Sequence, residues 1–508
     1  MTYVLAQYTI RSKQEYIFRS NRVTEIIGAS DNITRSWDIL FEQAEKLFEQ
    51  SGVPGKKTLR LADQKEFHIS EIAEAFRTNT LHMVELFRGG GNETILFDSH
   101  DSYIKVNKAF SYYLLKKYPG LIPMAVCSEY TGDYQHDYTC LMQEADREKK
   151  RMITGQSDFI LPFSMMDRNT FQPYSCVEKY EDGLVRLTAE AQVKRKRGQE
   201  ISREDPEVQI LDNMIIGKGE ESLLAVIHAD GNNMGIKISK MLEGKTDYDT
   251  CISKMREFTE ITADAFSVQG VQALEKCRDT LQEKYKGKYE EGAFLFRKII
   301  TDGDDMTFVC NARFAMEYVQ AYLKSVQDYQ KKNMSEWMYS SCAGICIFHS
   351  HYPFSRVYSM AEQACENAKK KVHGRQNKII EEGWLDFHYI HNGIGGDLDS
   401  VRKRQGTERC IARPWLIAGG EAGNILHYDR LTELNSLLNE YHVSRSDIKT
   451  IGNEFEDSLS CGRQELVRVN GHHKGLENTI KEKYSDQEQL LKMLYDFSEV
   501  YDLWFKEG

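Results

Sequence analysis

The stretch AFLFRKIITDGDDMTFVC, residues 293–310, decides the fold of this chain. Two apolar runs flank the tetrapeptide DGDD at 302–305, and a short Gly-containing turn between such runs is a hairpin signal. We therefore predict two antiparallel strands joined by an acidic tip. Upstream, SLLAVIHAD at 222–230 is an apolar run that suits a buried strand, and it ends in Asp230.

The segments around this hairpin predict a mixed sheet. Helical spacing of apolar residues follows the first strand to about residue 280. After the hairpin, RFAMEYVQAYLKSV at 313–326 predicts a helix, SCAGICIFH at 341–349 a strand, and YSMAEQACENAKKKV at 358–372 another helix. This order describes a ferredoxin-like or palm sheet with helices on one face. The predicted fold class is α+β.

The first 125 residues repeat the same plan more faintly. YVLAQYTI at 3–10 predicts a strand, and a helix follows through residue 50. HMVELFRGGGNETILFD at 82–98 predicts a hairpin, and KVNKAFSYYLLKKY at 105–118 predicts a helix. Two related modules are implied.

The hairpin turn of the first module differs chemically from that of the second. GGGN at 89–92 takes the place of DGDD, and the first strand carries Gln7 and Tyr8 instead of an acid. We therefore expect that the first module does not chelate a metal in this way. Gly90 and Gly91 either let the backbone approach a nucleotide phosphate or base, or merely form the turn. The sequence leaves both interpretations open.

The length of 508 residues predicts several domains. VKRKRGQEISREDPEV at 193–208 is charge-dense and predicts a solvent-exposed connector. Its basic residues could contact RNA, but a solvated face is favoured because no aromatic residue is interleaved. Leucines and aromatics at helical spacing near the C-terminus predict a small helical domain. The predicted domains are palm 1 at 1–150, a connector at 151–215, palm 2 at 216–400 and a helical domain at 401–508.

Composition limits the classes of function. The net charge of −11 argues against a surface that grips nucleic acid throughout. No run approaches the ~18 apolar residues that span a bilayer, so we expect a cytoplasmic protein without a membrane partner. The eleven cysteines are scattered and are interpreted as reduced thiols. Cys127, His136 and Cys140 are too loosely spaced for a typical structural zinc site, so ordinary residues are favoured.

Three acids carry the predicted chemistry. Asp230 ends one strand while Asp304 and Asp305 lie at the hairpin, so the carboxylates are expected close together on neighbouring strands. Their mutual repulsion favours a bound cation, and oxygen ligands favour Mg²⁺ or Mn²⁺. Two such ions could activate a hydroxyl and hold the leaving pyrophosphate of a nucleoside triphosphate. Lysines at 369–371 could meet that triphosphate, or could simply complement the dipole of their helix.

These motifs resemble those of a known family. HADGNNMG at 228–235, TDGDD at 301–305 and the segment from Ser341 through GRQN at 374–377 together resemble the palm of GGDEF-type nucleotidyl cyclases. More closely, the chain resembles the large polymerase/cyclase subunit of type III CRISPR effectors, the signature subunit of Csm and Cmr complexes. The other fitting motifs are QEYIFRSNRVTEIIGAS at 14–30, RGGGNETILF at 88–97, KYPGL at 117–121, WLDFH at 384–388 and RPW at 413–415.

The resemblance implies two GGDEF-like palm domains, the second catalytic, followed by a helical domain. Asp230 matches the first metal-binding aspartate of the family, Asp304 and Asp305 match the acids of its GGDD hairpin, and Lys369 matches its phosphate-contacting lysine. The carbonyl of Gly231 is implied as a further metal ligand. The residues implied in nucleotide binding, besides Lys369, are Gly303, Asn233, Gly90, Gly91 and Asn92.

The sequence also departs from the family pattern. Asp302 replaces the first glycine of GGDD, and Asn232 stands where many relatives have a second aspartate. Only Cys176 remains from the cysteines of a zinc ribbon between the palms, so loss of that metal site is expected. The chain starts directly in the first palm without a nuclease-type His-Asp pair, so no DNase activity is expected.

The implied function is that of an Mg²⁺- or Mn²⁺-dependent nucleotidyltransferase. It would join nucleoside triphosphates, with ATP as the expected substrate, into a cyclic oligonucleotide or dinucleotide messenger in antiviral defence. The second nucleotide is expected at the interface of the two palms. Implied partners are RNA, CRISPR effector subunits and a downstream effector reached through the diffusible product. Two alternatives remain: a noncatalytic scaffold that binds CRISPR RNA and proteins, and a homodimeric GGDEF-like dinucleotide cyclase.

Overall fold

The computed structural model describes residues 2–506 except for 21, 50–55, 65, 153–162, 169, 181–182, 205–213, 217–221, 334–335, 351, 374–378, 392–395, 422 and 485. The chain forms two compact units. Unit 1 consists of residues 1–210, 234–267 and 299–304, and unit 2 of residues 211–233, 268–298 and 305–508.

A five-stranded sheet lies in unit 1. Its strands are β1 (Val4–Arg11), β2 (Thr58–Leu59), β3 (Met83–Gly89), β4 (Asn92–Phe97) and β5 (Ile122–Glu129). They lie in the order β2-β3-β4-β1-β5, and β1 pairs antiparallel with both β4 and β5. Apolar residues dominate β1, which suits its position between two other strands. The predicted first strand and first hairpin are confirmed.

Helices and a short two-stranded sheet surround this sheet. The helices are α1 (Lys13–Phe18), α2 (Val23–Glu49), α3 (Ile69–Arg77), α4 (His100–Lys117), α5 (Tyr134–Arg151), α6 (Ala189–Glu204), α7 (Met234–Leu242) and α8 (Tyr248–Ala263), and the short sheet pairs β6 (Tyr174–Tyr180) with β7 (Gly183–Thr188). Helices α7 and α8 belong to unit 1, although the sequence division assigns them to palm 2. The boundaries of the four predicted domains stay a prediction.

Helix α6 corrects the prediction of an exposed connector at 193–208. It packs against α2, and a Cβ on Gly28 would lie 1.9 Å from the carbonyl oxygen of Lys194. The Lys194 side chain is buried, where its ammonium pairs with the carboxylate of Glu190 and donates to the carbonyl of Tyr16. A charge-rich segment was therefore misread as solvated, because its charges are compensated inside the unit. Residues 205–208 lie outside the described residues.

Unit 2 contains most of a second sheet. Its strands are β8 (Leu223–Gly231), β9 (Phe296–Asp302), β10 (Asp305–Asn311), β11 (Ser341–His349), β12 (Gly383–Tyr389) and β13 (Trp415–Ala418). They lie in the order β13-β12-β11-β8-β10-β9. The predicted buried strand, acidic hairpin and later strand are confirmed. Strand β13 comes from the segment that was predicted to be helical, where RPW leads into the sheet.

The helices of unit 2 cover its sheet on both faces. They are α9 (Gly270–Lys284), α10 (Ala315–Asn333), α11 (Phe354–His373), α12 (Leu398–Gln405), α13 (Asp429–Glu440), α14 (Arg445–Asp457), α15 (Leu459–His472), α16 (Leu476–Lys483) and α17 (Gln487–Val500). Tyr318 of α10 contacts Phe308 on one face, and Tyr358 of α11 contacts His228 on the other. The expectation of helices on one face is therefore wrong for α11. Strand β8 is apolar along nearly its whole length because both of its faces are covered.

The two sheets repeat one topology. In unit 1 the order β3-β4-β1-β5 places the hairpin beside the first strand, and β9-β10-β8-β11 does the same in the second sheet. This is the strand order of a ferredoxin-like palm, so the repeat predicted from sequence is confirmed. Among the described residues, no helix is long and apolar enough to cross a membrane.

Candidate functional site

Strands β8 and β10 bring the predicted acids together. They pair antiparallel with Ala229 opposite Met306, so the next positions, Asp230 and Asp305, lie opposite each other. Because side chains alternate along a strand, both carboxylates project from the same face of the sheet. The predicted neighbourhood of these two acids is confirmed.

A histidine joins the two acids on this face. One ligand atom from each of His228, Asp230 and Asp305 lies within 4.8 Å of the other two. In the part of the chain that the structure describes, this is the one group of three or more metal-ligating side chains of this kind. Two carboxylates and an imidazole form a donor set that fits a divalent cation.

Helix α11 carries Lys369 to this group. Its ammonium forms an ion pair with the carboxylate of Asp230 and donates to the carbonyl oxygen of Gly231 at 3.0 Å. The Lys369 side chain is only 14% exposed, whereas that of Asp230 is 32% exposed. The helix can approach because Gly344 of β11 has no side chain. A Cβ there would lie 2.0 Å from the carbonyl oxygen of Ala361.

His228 was not predicted as a site residue. Its Nδ1 lies 2.9 Å from the hydroxyl of Thr307, and its ring meets that of Tyr358 edge-on. Burial lowers the pKa of His228 to about 4; Asp230 opposes this shift and Lys369 adds to it. In sequence, His228 is one residue within an apolar run. The signal that could have identified it is its spacing of two from Asp230, which places both on one face of a strand.

Asp304 lies outside the group formed by His228, Asp230 and Asp305. It occupies the turn between β9 and β10 together with Gly303, whose φ is +62°. Of the two predicted hairpin acids, the structure therefore brings only Asp305 into the group with Asp230. The assignment of Asp304 as a metal ligand stays a prediction.

The loop after β8 uses its asparagines to fix the backbone. The amide of Asn232 is buried and donates to the Ser340 hydroxyl at 2.8 Å and to the Glu382 carbonyl at 2.9 Å. Asn233 has a φ of +59° and donates to the carbonyl of Ile380 at 3.0 Å. These bonds give Asn232 a structural role in a buried network. Nucleotide binding by Asn233 stays a prediction.

The glycine turn of the first hairpin lies against the turn of the second, within unit 1. Gly90 and Gly91 have φ of +56° and +66°, values that suit the two-residue turn joining β3 to β4. The ammonium of Lys13 donates to the carbonyl of Gly91 at 2.6 Å. A Cβ on Gly91 would lie 1.8 Å from that ammonium and 2.4 Å from a carboxylate oxygen of Asp302, and one on Gly303 would lie 3.6 Å from the nitrogen of Gly90. The side chain at the departure Asp302 thus lies beside the glycine turn of the first hairpin.

Neutral residues occupy the positions of the first sheet that correspond to Asp305, Asp230 and His228. Asn92 begins β4 as Asp305 begins β10, and its partner on β1 is Thr9. Gln7, opposite Thr94, corresponds to His228. The residue opposite Asn92 is thus Thr9 rather than Gln7 or Tyr8. That the first module does not chelate a metal in this way stays a prediction.

Two other groups of residues noted in the sequence are the lysines that follow Lys369 and the set of Cys127, His136 and Cys140. Lys370 contacts Asn367 on its own helix, and Lys371 lies over the Trp384 ring, while the motif at 374–377 lies outside the described residues. The Cys140 sulfur lies 3.7 Å from His136. Among the described residues, these two and Cys127 are not brought together as a group of three metal ligands. The interpretation of all three as ordinary side chains stays a prediction.

Comparisons with known proteins bear on this site. Residues 223–380 match the family model of the Cas10/Cmr2 second palm domain. Solved structures of Csm1-Csm4 cassettes, one in complex with cA4 and one with a single ATP, match with TM-scores of 0.50 and 0.51 at 11% and 10% identity. Each match covers 98% of this chain and 69% of the other, and each is a likeness of fold. A search of curated proteins found no match.

Proposed function

Because residues 223–380 form a second palm domain of the Cas10/Cmr2 family, we propose that this protein is a metal-dependent nucleotidyltransferase. It joins nucleoside triphosphates, chiefly ATP, through 3′-5′ phosphodiester bonds and closes the product into a cyclic oligonucleotide. The observation that carries the proposal is the group of Asp230 and Asp305 on one face of the sheet, with the ammonium of Lys369 against them.

The acids hold the catalytic cation. Asp230 and Asp305, with the carbonyl of Gly231, are the oxygen ligands for Mg²⁺ or Mn²⁺. When bound, such an ion polarises phosphoryl oxygens and favours deprotonation of an attacking hydroxyl. The two carboxylates would fix the position of the ion, and the ion would in turn fix where the negatively charged triphosphate binds. Without a cation they would repel each other, and in the structure the ammonium of Lys369 offsets this repulsion.

Lys369 changes partner during substrate binding. In the structure its ammonium contacts Asp230 and the carbonyl of Gly231. With a divalent ion on the carboxylate of Asp230, the Lys369 ammonium would be able to pair with a phosphate oxygen of the triphosphate. There it offsets the negative charge that develops on the leaving pyrophosphate. Gly303 and Asn233 contribute backbone groups to the same nucleotide.

The glycine turn of the first hairpin binds a second nucleotide. Gly90 and Gly91 have no side chains of their own to cover their backbone groups, and Asn92 adds an amide. Lys13 lies at this turn and supplies a positive charge. Holding two nucleotides in a fixed orientation accounts for much of the acceleration in such reactions, because the entropy of aligning them is lost on binding.

The proposal extends to partners. The matched structures are described as Csm1-Csm4 cassettes in complex with cA4 or ATP. We propose by analogy that this chain assembles with CRISPR effector subunits and RNA, and that its product acts on a separate effector protein.

Product analysis tests the proposal. The protein is incubated with Mg²⁺ or Mn²⁺ and each nucleoside triphosphate in turn, and the products are identified by mass spectrometry. We expect a cyclic adenylate product from the unchanged protein and a loss of at least about 100-fold in Asp305→Asn, since electrostatic stabilisation is removed. Asp279→Asn, an exposed change on α9, is the matched control.

Two results would overturn the proposal. Product formation that survives Asp305→Asn would show that the acids are not involved. Absence of any product, together with absence of metal-dependent ATP binding by calorimetry, would favour a noncatalytic scaffold. Asp304→Asn in the same series decides whether the second hairpin acid also contributes.

A further inference from the structure

His228 has a place in the metal-ligating group that its sequence position does not explain. Strand β8 places His228 and Asp230 on one face, and Thr307 lies opposite His228 as Asp305 lies opposite Asp230. A ring nitrogen of His228 lies within 4.8 Å of both carboxylates. The group therefore offers three side-chain ligands, one of which is nitrogen.

The surroundings of the imidazole hold it in one orientation. Thr307 is fully buried, and its hydroxyl lies 2.9 Å from Nδ1 of His228. The ring of Tyr358 meets the imidazole at 75° with 5.6 Å between centroids. With Nδ1 engaged by the threonine, Nε2 is the nitrogen left to bind an ion. Fixing a histidine ligand through its other nitrogen is a common arrangement at metal sites.

A nitrogen ligand changes which cation the group prefers. Mg²⁺ favours carboxylate, carbonyl and water oxygens, whereas imidazole suits transition-metal ions. For a given set of nitrogen and oxygen ligands, affinity rises from Mn²⁺ to Co²⁺. A site with two carboxylates alone would show little of this preference.

We propose that His228 is the third protein ligand of the divalent-cation site and that its nitrogen makes the site prefer Mn²⁺ or Co²⁺ over Mg²⁺. This inference rests on the proposed function, because it concerns the same cation. It assigns the third side-chain position to His228, where the sequence assigned it to Asp304.

Two substitutions separate nitrogen ligation from packing. His228→Asn keeps a polar group near Nδ1, where it can still bond to Thr307, but removes the Nε2 ligand. His228→Gln places an amide oxygen near the position of Nε2 and so exchanges nitrogen for oxygen. Both are measured against the unchanged protein in the absence of nucleotide.

Metal binding itself is the readout. Mn²⁺ affinity is measured from the electron paramagnetic resonance signal of the free ion, with Mg²⁺ added as competitor, and Co²⁺ ligation from its visible absorption. We expect His228→Asn to weaken Mn²⁺ binding by at least about tenfold, since loss of even an outer-shell partner typically costs about 10- to 100-fold. We expect His228→Gln to restore much of the binding and to shift preference toward Mg²⁺. The Co²⁺ spectrum should change in both variants.

The outcomes distinguish this inference from the proposed function. If His228→Asn leaves Mn²⁺ affinity, Mg²⁺ competition and the Co²⁺ spectrum unchanged, His228 is a packing residue and the inference fails. In that case loss of Mn²⁺ binding in Asp305→Asn would still support the acids as ligands. If the unchanged protein binds neither ion, with or without ATP, the proposed function fails as well. Thermal melting of each variant shows whether the fold is retained.

Discussion

Lys369 occupies the position where a cation would neutralise Asp230. Its ammonium contacts that carboxylate and the carbonyl of Gly231, so a divalent ion and the lysine compete for the same oxygens. Under the proposed function, such competition would lower the affinity of the site for a divalent ion before any nucleotide binds. It also explains how a pair of facing carboxylates is tolerated by the fold.

Removing the charge of Lys369 should therefore have opposite effects on two ligands. We expect Lys369→Met to tighten Mn²⁺ binding by roughly tenfold, because a competing charge a few ångströms away is worth about 1 to 2 kcal/mol. The same change should weaken ATP binding in the presence of Mn²⁺. Calorimetric titration measures both affinities, and Lys370→Met is the matched control on the same helix. Weaker Mn²⁺ binding in Lys369→Met would contradict this account.

Gly91 is constrained by its backbone and by its neighbours. Its φ of +66° disfavours any residue with a Cβ, and that atom would also displace the ammonium of Lys13 and the carboxylate of Asp302. Gly244 has a similar φ of +72° but open space around it. An alanine would therefore strain the backbone at either glycine, but only at Gly91 would its Cβ also collide with neighbouring side chains.

The comparison of two alanine substitutions isolates that crowding. We expect Gly244→Ala to lower the free energy of unfolding by about 1 kcal/mol, from backbone strain, and Gly91→Ala by about 2 to 3 kcal/mol. Adding Lys13→Ala to Gly91→Ala should recover part of the difference, because the residues share one space. Urea denaturation measures the three values. Equal losses of unfolding free energy in Gly91→Ala and Gly244→Ala would show that the side chains of Lys13 and Asp302 can move aside at no energetic cost.

At the scale of elements, the contact between α11 and β11 positions the candidate site. The helix approaches the strand over Gly344, where a Cβ would meet the backbone of Ala361 and of Cys365 at 2.0 and 2.4 Å. Both partners are backbone atoms of a helix, so neither can move by a change of rotamer. The height of α11 above the sheet sets how far Lys369 reaches toward Asp230.

We expect Gly344→Ala to act on stability and on the site together. It should lower the free energy of unfolding by about 3 kcal/mol or more, since overpacking a well-filled interior costs about 1 to 3 kcal/mol and here the helix itself must move. Gly235→Ala in α7, where a Cβ meets open space, should be neutral or slightly stabilising. Thermal melting records stability. Mn²⁺ titration then shows whether displacement of Lys369 has changed metal affinity.

Elements with a strong periodic pattern of apolar residues were predictable from the sequence. Elements whose structure or burial depends on contacts with distant segments were not. The hairpin at 302–305 and the strand ending in Asp230 follow from local apolar runs around turn residues. Strand β13 was missed because four residues at its position become a strand only by pairing with β12. Helix α6 was misread because burial of Lys194 depends on Glu190 and on α2, which no local pattern reports.

The candidate site, like the secondary-structure elements, was predicted only in part from the sequence. Asp230 and Asp305 were found because strand ends and a hairpin meet in any palm sheet. Asp304 was grouped with them because it lies in the same hairpin turn. It lies outside the group formed by His228, Asp230 and Asp305, and its role as a metal ligand stays a prediction. His228 was missed because a histidine inside an apolar run resembles a core residue until the opposite strand is known.

At the scale of the whole molecule, a buried network of ion pairs crosses unit 2. Arg402 bonds to both carboxylate oxygens of Asp386 at 2.8 and 2.9 Å, and Arg413 bonds to Asp496 at 3.0 Å. Trp415 also donates to Asp496 at 2.9 Å. The network connects β12, α12, the entry to β13 and α17. Asp386 of the WLDFH motif, and Arg413 and Trp415 of the RPW motif, thus take part in this buried network rather than in the candidate site.

The pH dependence of unfolding should report on this network. Burial, with Arg402 and Arg413 nearby, lowers the pKa of His388 to about 3. His388 is therefore neutral in the folded chain and gains a proton on unfolding below its ordinary value of about 6.5. The contribution of neutral His388 to the free energy of unfolding is fully present above pH 6.5 and is lost as pH falls toward 3. His228, whose pKa is lowered to about 4, acts in the same direction.

We expect the free energy of unfolding to fall by roughly 1 kcal/mol per pH unit for each of these histidines between pH 6 and pH 4. His388→Asn should remove its share of this slope, while substitution of the exposed His472 by Asn should not. Chemical denaturation at several pH values measures the slopes. The carboxylate of Asp386, whose pKa is lowered by Arg402 and Arg413 against the effect of burial, adds to the slope only below about pH 4, where its stabilisation of the fold begins to be lost. An unchanged slope in His388→Asn would exclude this histidine as a source.

The distance along the chain between Arg413 and Asp496 has a consequence for biosynthesis. Eighty-three residues separate them, which at ~5 to 20 residues per second is a delay of about 4 to 17 seconds on the ribosome. During that interval the nascent chain has the guanidinium with Asp386, but without Asp496 and Glu499, the other two carboxylates that pair with it in the interior. We expect β13 to remain undocked until α17 has been translated, so this half of the protein completes its folding late, within reach of chaperones.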